Sequence, residues 1–103
     1  MPDPMKIRAS LQGDTAEVKV LMSHEMETGQ RKDSKGEIIP AHFITTVTAT
    51  CNGKTVLTAH WGPAVSKNPY LAFKFKGAAK GDKVAVTWTD NKGGTRTDEG
   101  TFP

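Results

Sequence analysis

Hydrophobic and polar residues alternate with a period of two along much of this chain. Between residues 16 and 22, for example, Val18, Val20 and Met22 share one face, and mostly charged residues occupy the other. This period is typical of a β-strand that is buried on one side only. Seven segments either alternate in this way or are dense in β-branched residues, and they predict strands over residues 5–9, 16–22, 43–51, 54–61, 70–75, 83–90 and 95–102.

Turn residues separate the predicted strands. Asn52-Gly53 joins two of them and favours a type I′ hairpin turn, because both residues tolerate a positive φ. The last segment, 95–102, is polar and is predicted to be an edge strand. No segment shows the 3.6-residue apolar period of a helix. The sequence therefore predicts an all-β fold, an immunoglobulin-like β-sandwich of about seven strands, with residues 1–103 forming a single domain. A small open barrel is the alternative.

The charge is mildly basic, and its two signs are interspersed along the chain. The 103 residues include 14 Lys and Arg against 11 Asp and Glu, a net charge of +3, and no basic run is longer than Arg31-Lys32. Proteins that bind nucleic acid usually cluster their basic residues into a patch or stripe. We therefore predict no nucleic-acid partner.

The sequence also bears on membranes and export. No stretch reaches the roughly 18 consecutive apolar residues of a transmembrane helix, so we predict no membrane partner. Residues 1–6 contain no apolar core of a signal peptide. On this ground alone the sequence predicts a cytoplasmic protein, or one whose signal was removed before the numbering begins.

Motifs for catalysis or metal binding are absent from the sequence. His24, His42 and His60 are 18 residues apart in each case, and no second His or Cys lies close enough to any of them to form a zinc motif. We therefore predict no catalytic residue, no metal and no cofactor, and hence no enzyme. A metal site assembled across strands is the alternative.

Cys51 is the one residue whose side chain would make a strong nucleophile, provided that it were a thiolate. It ends a predicted strand, and the alternation places it on the same face as Val47 and Ala49. We therefore predict a buried structural thiol. His60 is close enough in the predicted hairpin to be considered as a partner for it.

Two long irregular segments, 23–41 and 62–69, have no clear secondary-structure pattern. Long loops on a rigid sandwich are often the parts that bind other molecules. These loops also carry a resemblance to a known family. The runs MSHEMETGQRKD (22–33), IPAHFI (39–44) and WGPAVSKNPY (61–70), followed by FKFKG (73–77), GDK (81–83) and WTDNKG (88–93), resemble the SoxZ family nearly throughout the chain.

The resemblance implies an immunoglobulin-like sandwich, in agreement with the strand pattern, and a role in bacterial thiosulfate oxidation. SoxZ proteins form the SoxYZ carrier complex, in which SoxY bears the sulfur intermediates on a cysteine in a C-terminal Gly-Gly-Cys-Gly-Gly arm. The resemblance thus implies a non-catalytic subunit that scaffolds SoxY as a heterodimer and makes transient contact with other Sox proteins. It also implies a periplasmic location, reached by export with SoxY, which carries the twin-arginine signal. Direct sulfur transfer through Cys51 is the alternative function.

A partner-binding surface is predicted in and beside the two loops. A permanent heterodimer usually rests on apolar, aromatic, Met and Arg anchors inside a polar rim. The residues that fit this description are Met26, Arg31, Phe43, Val65 and Tyr70. The alternative is that Phe43 and Tyr70 cover the end of the domain's own core.

Overall fold

The computed structural model describes residues 4–103. Residues 1–3 lie outside the described residues. They begin the predicted domain and the segment that was compared with signal peptides, so for these three residues both predictions stay predictions. The chain forms seven strands, β1 (Lys6–Gln12), β2 (Thr15–Leu21), β3 (Ile44–Cys51), β4 (Lys54–His60), β5 (Tyr70–Lys76), β6 (Lys83–Asp90) and β7 (Thr95–Thr101).

The strands form two sheets. One has three strands in the order β1-β2-β5, and the other has four in the order β4-β3-β6-β7. Neighbouring strands are antiparallel in both sheets. This arrangement confirms the predicted all-β, immunoglobulin-like sandwich of seven strands, and β7 lies at an edge as expected. Within residues 4–103 there is no helix of the length and apolar character needed to cross a membrane.

The core lies between the two sheets and follows from the alternation in the sequence. The residues of β2, β3 and β6 that point inward are buried, and the largest side chains with no exposed surface include Val18, Val20, Met22, Ile44 and Val86. Complete burial of a side chain of this size contributes roughly 1.5–3 kcal/mol to folding. Cys51 is 6% exposed and belongs to the same buried cluster as Val47 and Ala49, so its predicted burial is confirmed.

The ends of the strands differ slightly from the prediction. β1 extends to Gln12, three residues beyond the predicted end, because Leu11 continues the inward alternation and Gln12 still pairs with Thr15. The predicted type I′ turn is confirmed by the φ angles of 53° at Asn52 and 78° at Gly53.

Candidate functional site

A cluster of three side chains joins distant parts of the chain at one end of the sandwich. His24 Nε2 lies 3.1 Å from Asp90 Oδ2, and His42 Nε2 lies 2.8 Å from the same oxygen. The side chains of His24 and Asp90 are each 3% exposed, whereas that of His42 is 29% exposed. The centroid of the Trp88 indole lies 5.0 Å from that of the His24 ring, edge to face. We call His24, His42 and Asp90 the histidine–aspartate cluster.

The Asp90 carboxylate is well satisfied by hydrogen bonds. Its Oδ1 accepts the backbone N–H groups of Lys92, at 3.0 Å, and Gly94, at 2.7 Å. Burial alone would raise the pKa of Asp90, but the hydrogen bonds from His24, His42 and the two backbone N–H groups outweigh it and lower that pKa. A Cβ at residue 94 would lie 2.8 Å from Asp90 Oδ2, so the close approach of this turn requires glycine.

The tautomer of His24 follows from its two partners. The Met26 N–H donates to His24 Nδ1 at 3.1 Å, so Nδ1 is an acceptor and carries no proton. The proton of the neutral ring is therefore on Nε2, where it is donated to Asp90. Both ring nitrogens of His24 are thus used in the neutral form.

This tautomer bears on metal binding. One ligand atom from each of His24, His42 and Asp90 lies within 4.8 Å of the others, close enough to surround an ion. A histidine that binds a metal through Nε2 normally donates its Nδ1–H to an acceptor. In this protein His24 Nδ1 faces the Met26 N–H, a donor. The three side chains are therefore arranged as a hydrogen-bonded cluster. A metal bound to His24 Nε2 would move the ring proton to Nδ1, and the hydrogen bond from the Met26 N–H would be lost.

Hydrogen bonds from the cluster and its neighbours fix the surrounding loops to one another. The Asn68 N–H donates to the His24 carbonyl at 2.9 Å, and the His24 N–H donates to Asn68 Oδ1 at 3.1 Å. Asn91 Oδ1 accepts the Phe43 N–H at 2.8 Å, and Asn91 Nδ2 donates to the Ala41 carbonyl at 2.9 Å. We call the resulting surface, residues 22–43, 61–69 and 90–94, the loop platform.

An open cleft of about 790 Å³ lies over the cluster on this platform. The residues that line it include His24, His42, Asp90 and Trp88, and the charged residues Lys67, Lys92 and Glu25. The indole Nε1 of Trp88 is the one buried side-chain nitrogen or oxygen without a hydrogen-bond partner in the described part of the chain. The cleft therefore combines charged side chains of both signs with a fixed carboxylate, that of Asp90, which already has four hydrogen bonds.

The structure brings only some of the predicted binding residues together. Met26 and Arg31 line one groove, of about 400 Å³, together with Lys67. Met26 is only 5% exposed, and its Sδ accepts the Ile44 N–H at 3.4 Å, so it supports the groove from beneath. The Arg31 side chain is 65% exposed.

Arg31 is held in place by Glu27. Its Nε lies 3.2 and 3.1 Å from the two Glu27 carboxylate oxygens, and its Nη2 also donates to one of them. The hydrogen bond from Arg31 lowers the pKa of Glu27. The guanidinium is therefore oriented before any partner arrives, which reduces the entropy lost on binding.

The other three predicted residues lie elsewhere. Phe43 and Val65 are half-buried and pack against the hydrophobic core. Tyr70 is 61% exposed and lies at the start of β5, on the outer face of the three-stranded sheet, opposite Leu21. The five residues thus form no single patch, but Arg31 and Tyr70 are accessible to a partner.

Cys51 lacks the surroundings of a reactive thiol. Burial, and to a smaller extent the negative charge of Asp82, raise its pKa. His60 pairs with Thr46 at the far end of the β3–β4 hairpin, whereas Cys51 pairs with Lys54 beside the turn. The two residues therefore do not meet.

The histidine–aspartate cluster was not predicted from the sequence, because the cluster depends on contacts between residues that are far apart in the chain. Asp90 is 66 residues from His24 and 48 residues from His42. No short motif links residues at these separations. The nearest signal was the position of Asp90, at an inward-facing place in the alternation of β6, where a charged residue needs partners.

Comparisons with known proteins give both the fold and the family. The fold resembles a hypothetical protein from Pyrococcus horikoshii OT3, with a TM-score of 0.63 and 20% identity over 99% of this chain and 89% of that one. It also resembles a superoxide reductase (neelaredoxin) from Archaeoglobus fulgidus, with a TM-score of 0.56 and 21% identity over 95% of this chain and 84% of that one. At these identities the likeness shows the fold alone.

A comparison with curated proteins finds no match. The family described as "Sulphur oxidation protein SoxZ" matches residues 5–101. This match includes the loop platform, all seven strands and the histidine–aspartate cluster. The chain belongs to the SoxZ family and has a role in sulfur oxidation.

Proposed function

We propose that this chain is the non-catalytic subunit of a SoxYZ carrier complex in thiosulfate oxidation. It binds SoxY as a heterodimer and presents SoxY, whose arm cysteine carries the sulfur intermediates, to the enzymes of the pathway. The family match over residues 5–101 is the observation that carries this proposal. We further propose that the complex is periplasmic and that the chain is exported together with SoxY.

The loop platform supports a binding role because it is fixed before a partner arrives. Its segments are held to one another by Asp90, Asn91 and Asn68. A surface that is already ordered loses less entropy when it binds. Arg31 is exposed and oriented by Glu27, and Arg is among the residues most enriched in binding hot spots.

Direct sulfur transfer through Cys51 is the competing function. A thiol attacks only as a thiolate and only where a substrate can reach it. Cys51 is 6% exposed, and its pKa is raised by burial. Both properties favour a packing role for this cysteine and leave the sulfur chemistry to SoxY.

Calorimetric titration of SoxY tests the binding role. We expect the unaltered chain to bind SoxY with a 1:1 stoichiometry, and Arg31→Ala and Val65→Ala to weaken this binding. Tyr70→Ala is the third variant expected to weaken SoxY binding. Lys80→Ala, at an exposed position in the β5–β6 turn, is the matched control and should bind SoxY like the unaltered chain. If the unaltered chain fails to bind SoxY, the proposed function is wrong. If all three variants bind within about 0.5 kcal/mol of the parent, well below hot-spot size, SoxY binds another surface.

A further inference from the structure

The outer face of the three-stranded sheet is basic, although the charges are interspersed in the sequence. The outward-pointing residues are Lys6, Arg8, Ser10 and Gln12 from β1, Thr15, Glu17, Lys19 and Leu21 from β2, and Tyr70, Ala72, Lys74 and Lys76 from β5. Glu17 is the one acidic residue among them. Alternation in the strands therefore sorts dispersed lysines and an arginine onto one surface, which we call the basic face.

This face accounts for the net charge of the whole chain. Its five basic residues outnumber Glu17 and the nearby turn residue Asp14 by three, and the net charge of the chain is +3. The carboxylates of Glu17 and Asp14 lie 3.7 to 4.0 Å from the ammonium groups of Lys19, Lys74 and Lys76. Neither Arg8 nor Lys6 has an acidic residue directly opposite it on the face, because Arg8 pairs with Lys19 and Lys6 pairs with Leu21.

Two like charges stand directly opposite each other in the middle of the basic face. Arg8 pairs with Lys19 across the β1–β2 ladder. A like-charged pair in this position destabilises a sheet. The fold itself gains nothing from this pair, whereas an acidic partner lying across both strands would be attracted by both charges.

An apolar corner adjoins the charged rows. Leu21 and Tyr70 are opposite each other on β2 and β5 and are 42% and 61% exposed. By contrast, the outer face of the four-stranded sheet is made largely of threonines, with Thr48 opposite Thr58 and Thr87 opposite Thr97. The outer face of the three-stranded sheet therefore combines basic residues with an exposed apolar corner, and the outer face of the four-stranded sheet does not.

We propose that the basic face is a docking surface for an acidic surface on a protein that acts transiently on the carrier complex. Carboxylates of that protein would lie over Arg8, Lys19 and Lys74, and an apolar group would contact Leu21. This goes beyond the proposed function, because the charged rows form a second surface that remains free when SoxY occupies the loop platform and Tyr70. Electrostatic complementarity of this kind chiefly raises the association rate and gives specificity.

The test measures binding of the SoxYZ complex to each acidic Sox protein that loads or unloads the arm, by surface plasmon resonance. Arg8→Glu/Lys19→Glu converts one like-charged pair into another, so the cross-strand repulsion in the fold is retained. The matched control is Lys54→Glu/Lys83→Glu, which changes the net charge equally at exposed positions on the four-stranded sheet, away from the face and from the loop platform. At about 0.1 M salt, charges more than about 10 Å from the contact are largely screened. We expect the first variant to weaken binding about tenfold or more, the control to change it less than about twofold, and both to keep SoxY bound.

The single substitution Arg8→Glu separates docking from folding. It places an acidic residue opposite Lys19 and removes the like-charged pair, so we expect a higher unfolding midpoint together with weaker association. Equal effects of the face and control variants, or no effect of either, would overturn the proposal. A loss of affinity seen only for SoxY, only for a DNA duplex or only for phosphatidylglycerol vesicles would also overturn the proposal. Each of these results would assign the face to another occupant.

Discussion

The Nε2 atom of His42 lies 2.8 Å from Oδ2 of Asp90, although 48 residues separate them in the chain. His24 donates to the same oxygen, so one carboxylate fixes both ends of the first long loop. The buried acid Asp90 therefore joins Asn68 and Asn91 in holding the segments of the loop platform together.

Replacing that acid should destabilise the protein. The Asp90 carboxylate accepts hydrogen bonds from His24, His42 and two backbone N–H groups. In Asp90→Asn the side-chain NH₂ group would face some of these donors and could not accept from them. A buried donor left without an acceptor costs about 1–3 kcal/mol. We expect a loss of this size in the free energy of unfolding measured with urea. Asp14→Asn is the control, because the Asp14 side chain is 81% exposed, and it should change stability by less than about 0.5 kcal/mol. Equal losses in the two variants would contradict the role of Asp90.

The lowered pKa of Asp90 also predicts how stability depends on pH. A carboxyl group whose pKa is lower in the folded than in the unfolded state contributes stability above its unfolded pKa, near 4, and this contribution is lost as the pH falls through the folded pKa. The free energy of unfolding should therefore fall as the pH is lowered below about 4. Asp90→Asn should show a shallower decline in the same range. Parallel curves for the two proteins would contradict the assignment to Asp90.

The tautomer of His24 makes a prediction about metals. Nitrogen-15 NMR of the ring should show the proton on Nε2 and a bare Nδ1, because Nδ1 accepts the Met26 N–H. Accordingly, one equivalent of Zn²⁺ at micromolar concentration should leave the His24 and His42 signals unchanged. Tight zinc binding that His24→Gln abolishes, with His60→Gln as the unaffected control, would show that the cluster is a metal site.

The buried thiol predicts a stability effect without a functional one. Cys51→Ser places a hydroxyl in the core without an assigned partner, at a cost of about 1–3 kcal/mol, because Cys51 is buried with Val47 and Ala49. Urea unfolding should show this loss, whereas thiosulfate turnover per folded complex should stay the same. A loss of turnover with unchanged stability would restore Cys51 as the sulfur carrier.

Much of the fold could be predicted from the sequence, because strand alternation and the Asn52-Gly53 turn are local signals. The burial of Cys51 followed from the same alternation. The histidine–aspartate cluster could not be predicted, since it depends on which strands become neighbours and on where two long loops return. The basic face was hidden for a related reason. Its residues are dispersed in the sequence, and only the cross-strand register brings Arg8 and Lys19 together.

The predicted partner-binding residues show the same limit at a finer scale. Composition marked Met26 and Tyr70 as possible anchors, but it could not distinguish a side chain that supports a loop from one that faces solvent. Met26 is 5% exposed and Tyr70 is 61% exposed. Met26 Sδ accepts the Ile44 N–H beneath the loop, whereas Tyr70 occupies an outward position of β5, and both placements are properties of the folded chain.

Under the proposed function, this chain supports sulfur chemistry without carrying sulfur itself. Intact-mass spectrometry of the reconstituted SoxYZ complex, after incubation with thiosulfate and the loading enzyme, measures this directly. Cys51 is buried and has a raised pKa, so the added mass should appear on SoxY alone, and this chain should keep its unmodified mass. Added mass on this chain, abolished by Cys51→Ser, would show that this chain carries sulfur and that the proposed function is wrong.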